Sequence, residues 1–238
     1  VSLREIAPGW LRLAYRHVRL RWHARRLMRA ARHATTPAQW FDLVGRFPAF
    51  LSIQKPSEIV GLLELLHRAQ PNTVCEIGTA LGGTSFLLAR AASPRATIVL
   101  IDPAFDGART GALQRFAGPQ QTVVCIGGSS TDPAVRRGLE RALAERPLDF
   151  LLIDGDHSYE GVATDLGLYS PLVRPGGLVA FHDILPDHGA RGEPTGNWSG
   201  GVPRLWGELK TKYGAAAREL VADPAQDGYG IGVLTWPG

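Results

Sequence analysis

The chain has 238 residues, 45% hydrophobic and 20% charged, a balance that suits a folded domain with a substantial core and excludes a disordered or collagen-like chain. No run approaches the roughly 18 apolar residues of a membrane span, and the basic start leads into no apolar stretch of the kind a secretory signal needs. The net charge of +4 hides an asymmetry: residues 1–35 hold nine arginines against Glu5 alone, which is +8, so the remainder carries −4.

After Pro8-Gly9, WLRLAYRHVRLRWHARRLMRAARHA lacks Pro and Gly and reads as a helix. Leu11, Tyr15, Val18 and Trp22 form one apolar row, and Leu13, Leu20 and Leu27 an adjacent one. Thr36-Pro37 restarts a short helix near Ala38 to Val44, with Thr36 as its N-cap. KPSEIVGLLELLHRAQP is an amphipathic helix with Ser57 near its start and Pro71 stopping it. From there short apolar runs alternate with helical stretches. TVCEIG, ATIVLID, QTVVCIG, LDFLLID and GLVAFHD read as strands, with helices TSFLLARAA, Asp132 to Glu145 and GVATDLGLYSPLV among them. Strands apolar on both faces and separated by helices imply a parallel sheet covered on both sides. Cys75 and Cys125 sit inside these runs with no CxxC or Cys/His spacing, so they read as core thiols of a reducing compartment, and a cytoplasmic protein is expected. Residues 186–201 form a long irregular stretch, expected to act as a lid. The helix VPRLWGELKTKY follows, then AAARELVA and YGIGVLTW, joined closely enough to form an antiparallel hairpin.

The unusual residues fall at strand ends. Glu76 and Gly78, Asp102, Ser129 and Ser130, Asp154 and Asp156, and His182 and Asp183 all belong to one rim of the expected sheet. Ligands of open parallel sheets bind at that rim. Gly78, Gly82 and Gly83 allow a tight turn and close approach of a ligand. Their spacing is not GxGxxG, which argues against a pyrophosphate cofactor. Asp102 is placed to accept hydrogen bonds from a ribose diol.

With these residues in view, residues 55–236 resemble a class I S-adenosylmethionine-dependent methyltransferase. EIGTALGGTS resembles the first motif of that family, beginning at Glu76, and LIDPA the second, whose acid binds the ribose. IGGSSTDP resembles the adenine-side segment, with Ser129 or Ser130 near the base. The resemblance implies S-adenosylmethionine held by Glu76, Gly78, Thr79, Gly82, Ser85, Asp102, Ser129, Ser130 and Asp154. It also implies a Rossmann-like doubly wound α/β sheet of about seven strands, mostly parallel with an antiparallel last strand. N-terminal helices (1–54) would precede a methyltransferase domain (55–238). IDGDHSYEG followed by RPGGLVAFHD is similar to metal-dependent O-methyltransferases acting on sugars and natural products, including the cephalosporin-hydroxylase-like group. By position, the cation ligands of those relatives become Asp154, His182 and Asp183. His182 departs from their pattern, which has Asp or Glu. Imidazole is softer than carboxylate, so Mn²⁺ or Zn²⁺ becomes plausible beside Mg²⁺.

The implied reaction is methyl transfer to a hydroxyl of a small molecule, sugar or natural product, with Asp156 or His157 as the base. Neutral-pH titration favours His157, the Asp-Gly-Asp pattern of related sugar enzymes favours Asp156, and either could instead cap the next helix. Two rivals are a cofactor-binding partner subunit without activity and a nicotinamide dehydrogenase. Trp198 and Trp206 are expected to wall the acceptor or pack the lid. His188, Glu160, Asp165, Lys210 and Lys212 are expected in solvent. For the basic helix, the readings are a homo-oligomer contact or lid, or a peripheral membrane contact through residues 10–32. Nucleic acid is not expected, because the rim is acidic.

Overall fold

The structure is a computed structural model that describes residues 9–187 and 198–238, with side chains from Tyr15 onward. His188 and the centre of the expected lid lie outside the described residues. Helix α1 (Gly9–Ala30) is followed by α2 (Pro37–Gly45) and α3 (Pro56–Ala69). Thr36 caps α2 reciprocally: its hydroxyl accepts from Gln39 N–H at 3.3 Å, and Gln39 Oε1 accepts from Thr36 N–H at 3.2 Å. Helix α3 starts at Pro56, which needs no N–H partner there, and ends at Gln70 in the left-handed region before Pro71.

The alternating part follows as β1 (Thr73–Ile77), α4 (Gly83–Ala91), β2 (Thr97–Asp102), α5 (Gly107–Leu113), β3 (Thr122–Gly127) and α6 (Pro133–Leu143). Then come β4 (Leu148–Ile153), α7 (Tyr159–Tyr169), β5 (Val173–His182), α8 (Val202–Tyr213), β6 (Ala217–Leu220) and β7 (Ile231–Thr235). The seven strands lie in the order β3-β2-β1-β4-β5-β7-β6. Strands β3 to β5 pair in parallel, and β7 runs antiparallel to both β5 and β6. The expected doubly wound sheet and closing hairpin are therefore present.

Successive strand residues serve opposite layers, as the pleat requires. Val74, Ile98, Leu100 and Leu152 join Leu63, Phe86 and Phe116 on one face. Cys75, Val99, Ile101 and Leu151 join Leu139, Tyr169 and Trp206 on the other. Helix α5 was not expected. Its Asp106 cap accepts from Arg109 N–H at 2.8 Å, and α1 packs along it. Of the two rows read on α1, Leu20 and Leu27 are buried with Ala24 and Ala31, whereas Tyr15, Val18 and Trp22 face outward.

Candidate active site

Two cavities open at the carboxyl ends of the parallel strands. One is lined by Asp102, Pro103, Ser129, Ser130 and Asp156, the other by Leu51, Ile53, Gln54, Thr84, His157, His182, Asp183 and Trp198. Gly78, Ala80 and Asp154 line both. The floor between them is tight: Gly78 has φ +83°, and a Cβ there would meet Asp154 O at 2.0 Å. Asp102 organises the β1–α4 loop, accepting from Thr79 N–H at 2.9 Å, Thr79 Oγ1–H at 3.0 Å, Ala80 N–H at 3.1 Å and Ala104 N–H at 2.8 Å. The wall made by residues 51–54 is fixed from α5 and α4. Arg109 donates to Ala49 O and Leu81 O, both at 2.9 Å, and the Ser52 and Thr84 hydroxyls lie 3.0 Å apart.

The second cavity ends on four titratable side chains. His182 Nδ1 lies 3.3 Å from Asp154 Oδ1 and 3.3 Å from Asp183 Oδ2. His157 faces the same carboxylates, with Nε2 3.4 Å from Asp154 Oδ1 and Nδ1 3.5 Å from Asp183 Oδ2. His157 Nδ1 also contacts the Trp198 carbonyl. A carbonyl only accepts, so Nδ1 carries the proton in that contact and Nε2 is the nitrogen left for exchange. Gly201 N–H donates to His157 O at 2.7 Å, so the start of α8 holds this histidine in place. Asp183 is 3% exposed with φ +60°, a conformation short polar residues tolerate and that concentrates at functional sites.

The charges follow from this packing. Burial pulls His182 down, but Asp154 and Asp183 overcome it and bring it up to about 10. His157 is raised to about 9, first by its hydrogen bond to Asp154 and against the effect of burial. Burial pushes Asp154 up, yet His182 and His157 hold it below the usual carboxylate range. His182 Nε2 and Asp183 Oδ1 are buried with no hydrogen-bond partner. One ligand atom from each of Asp154, His182 and Asp183 lies within 4.8 Å of the others, a spacing able to hold a cation.

Comparison with known proteins meets this geometry directly. Residues 75–184, from β1 through the end of β5, match the family model described as a methyltransferase domain. That stretch, 110 of the 238 residues, is similar to a methyltransferase domain. Over 144 residues it is 28% identical to a rhamnosyl O-methyltransferase of Mycobacterium tuberculosis, a match spanning 56% of this chain and 57% of the relative. The O-methyltransferase from Bacillus cereus in complex with S-adenosylhomocysteine shares the fold at TM-score 0.58 and 17% identity, over 87% of this chain and 96% of that one. The MycE methyltransferase of the mycinamycin biosynthetic pathway, in complex with Mg and S-adenosylhomocysteine, shares it at TM-score 0.54 and 20% identity, over 83% and 53% of the two chains.

Of the residues expected to form the site, Gly78, Thr79, Asp102, Ser129, Ser130 and Asp154 line the cavities, as do Asp156, His157, His182 and Asp183. Glu76 and Ser85 are fully enclosed: Ser85 Oγ donates to Glu76 Oε2 at 2.5 Å, Oε1 has no partner, and burial pushes Glu76 up to about 8. Gly82 is bare for Leu113, whose Cδ2 a Cβ would meet at 2.3 Å, and Gly83 for the Phe50 carbonyl at 2.4 Å. The loop glycines are thus demanded by neighbouring protein atoms. Asp156 Oδ1, on the side of the first cavity, accepts from Ser158 N–H at 2.8 Å, while Ser158 itself caps α7.

Two expectations need correction. Asp165 is 1% exposed, not solvated. Trp206 is buried over Gly232 and beside Phe181 and gives its Nε1–H to Glu219 at 2.7 Å, so of the two Trp198 walls the second cavity. Lys210 is exposed as expected and pairs with Glu219 at 2.7 Å. Sequence reading missed Gln54, whose Nε2 donates to Asp154 Oδ2 at 3.2 Å and whose Oε1 is buried without a partner. Nothing in its local pattern separates it from an ordinary loop residue.

Proposed function

We propose that the protein transfers a methyl group from S-adenosylmethionine to a hydroxyl of a sugar or natural-product acceptor, with a divalent cation held by Asp154, His182 and Asp183. The observation that carries the reading is the convergence of those three side chains at the junction of two cavities. The names of the mycobacterial relatives, and the Mg and S-adenosylhomocysteine in MycE, support it. The residues fit a cation: two carboxylates balance a divalent charge, and the buried His182 Nε2 and Asp183 Oδ1 lack other partners. A mixed carboxylate–imidazole set suits Mn²⁺ or Zn²⁺ as well as Mg²⁺.

The cavity with Asp102, Ser129 and Ser130 takes the adenosine, and the cavity with Gln54 and Trp198 takes the acceptor. A bound cation would supply positive charge beside the acceptor oxygen and lower the hydroxyl pKa. His157 is the base. Its high proton affinity is owed to Asp154 and Asp183 and falls once those carboxylates are neutralised, which frees Nε2 to accept. The acceptor oxygen bonds to the methyl carbon as the carbon–sulfur bond breaks. The electron pair stays on sulfur, giving S-adenosylhomocysteine, and the hydroxyl proton passes to His157. Asp156, tied to Ser158, shapes the cofactor side.

Calorimetric titration of chelator-treated protein with S-adenosylhomocysteine and with Mn²⁺ or Mg²⁺ tests the reading. The expected result is two separate isotherms, with the cation isotherm lost in Asp183→Ala while the cofactor isotherm remains. Cofactor binding without any cation binding would leave His157 acting alone as base. Binding of neither would remove the proposal.

A further inference from the structure

We propose that the outward face of α1 docks on an anionic lipid membrane. The proposal rests on the helix alone and is independent of the methyl-transfer reading. The inward stripe, Leu20, Ala24, Leu27 and Ala31, is 0–4% exposed and already meets what the core asks of this segment. Yet Val18 is 69% and Trp22 50% exposed, and with Tyr15 they repeat at i, i+3 and i+7 along the opposite side. Exposed apolar residues in a row, unlike isolated ones, point to a contact.

The same face carries Arg19, Arg25, Arg26 and Arg29, and no acid occurs between Tyr15 and His33. None of these four forms an ion pair among the described residues. By contrast, Arg16 is engaged by the fold, pairing with Asp106 at 2.6 Å, and Arg21 lies over Gly111. The Arg26 guanidinium sits 4.6 Å from the Trp22 ring centroid. His23, flanked by this set, is held below its ordinary value by partial burial and then by Arg19 and Arg26.

Cations interleaved with Trp, Tyr and Val on one helix face match the headgroup boundary, where arginines meet phosphates and the apolar groups enter the acyl edge. A second copy across a two-fold axis would set this cationic face against itself. A nucleic acid would use the arginines but give Val18 nothing apolar to enter.

The test is co-sedimentation of the full chain with phosphatidylcholine vesicles and with vesicles containing about 30% phosphatidylglycerol at about 0.1 M salt. Binding to the anionic vesicles alone, weakened by added salt, is expected. The triple change Arg25→Gln, Arg26→Gln, Arg29→Gln should lower partitioning on the order of a hundredfold. Val18→Ser with Trp22→Ser should lower it about tenfold or more. Helix content and thermal midpoint should stay put in both. Failure to bind anionic vesicles, equal binding to neutral ones, or binding indifferent to both sets of changes would overturn the proposal. So would a dimer that dissociates on Trp22→Ser, or an oligonucleotide that displaces the vesicles; these would give the face to a second copy or to nucleic acid.

Discussion

Glu76 shows how a single buried group writes itself into the pH behaviour of the chain. Its folded value of about 8 exceeds the ordinary 4.5, so between those values the folded state holds a proton that the unfolded state gives up. The stability this contributes is present in full below pH 4.5 and is lost as pH rises through about 8. His157 and His182 slope the same way only above their ordinary 6.5, so the Glu76 share is read between about pH 5 and 6.5. Urea midpoints should fall across that window in the wild type and fall less steeply there in Glu76→Gln, the remaining slope belonging to Asp165, which burial also raises. At this scale the rim was legible because acids and histidines directly followed apolar runs, where strand packing does not ask for them. Asp165 was legible too but misread. It lies three residues after Val162 and four before Tyr169, on the inward face of α7. Gln54 stood beyond sequence reasoning, since its partner Asp154 is 100 residues away.

Among the elements, strands apolar on both faces announced themselves, and α5 did not. Its seven residues, GARTGAL, contain two glycines and too few apolar positions to show a period. The Asp106 cap and the packing of α1 hold it in place of intrinsic propensity. The β1–α4 turn gives a sharp prediction. Gly78→Ala adds a Cβ that would lie 2.0 Å from Asp154 O at φ +83°. It should cost about 3 kcal/mol or more by chemical denaturation and weaken both ligand isotherms. Helix α3 and the β6–β7 connection are joined by Glu58, which is 1% exposed. Its carboxylate accepts from Ala222 N–H at 3.2 Å, Gln226 Nε2 at 2.7 Å and Gly230 N–H at 2.9 Å. Glu58→Ala strands those donors and should cost about 3 kcal/mol, with Glu58→Gln costing less on the same urea titration.

Across the whole molecule, the charge asymmetry was legible, but the choice of buried row on α1 was not. The outward row has the larger side chains. The inward row wins because Ala24 and Ala31 let the helix approach closely, with His17 and Arg21 set against Gly107 and Gly111 of α5. One core cluster accordingly runs from Leu20 through Phe50 and Phe86 to Val233. The basic segment and the sheet should therefore melt in a single transition. The two thiols can report it. Cys75 is held far above its ordinary value by burial and then by Glu76, and burial brings Cys125 up to about 12. Neither should react with a disulfide reagent in the native state, and both should react at the rate at which far-ultraviolet ellipticity is lost under mild denaturant. Asp154, finally, stands in the wall common to both cavities. On the proposed reading, an occupant on one side would meet a carboxylate whose field is shared with the other, so the two affinities would be linked by an equal amount in each direction. The molecule would in that sense be a two-input gate, in which each guest alters the affinity for the other.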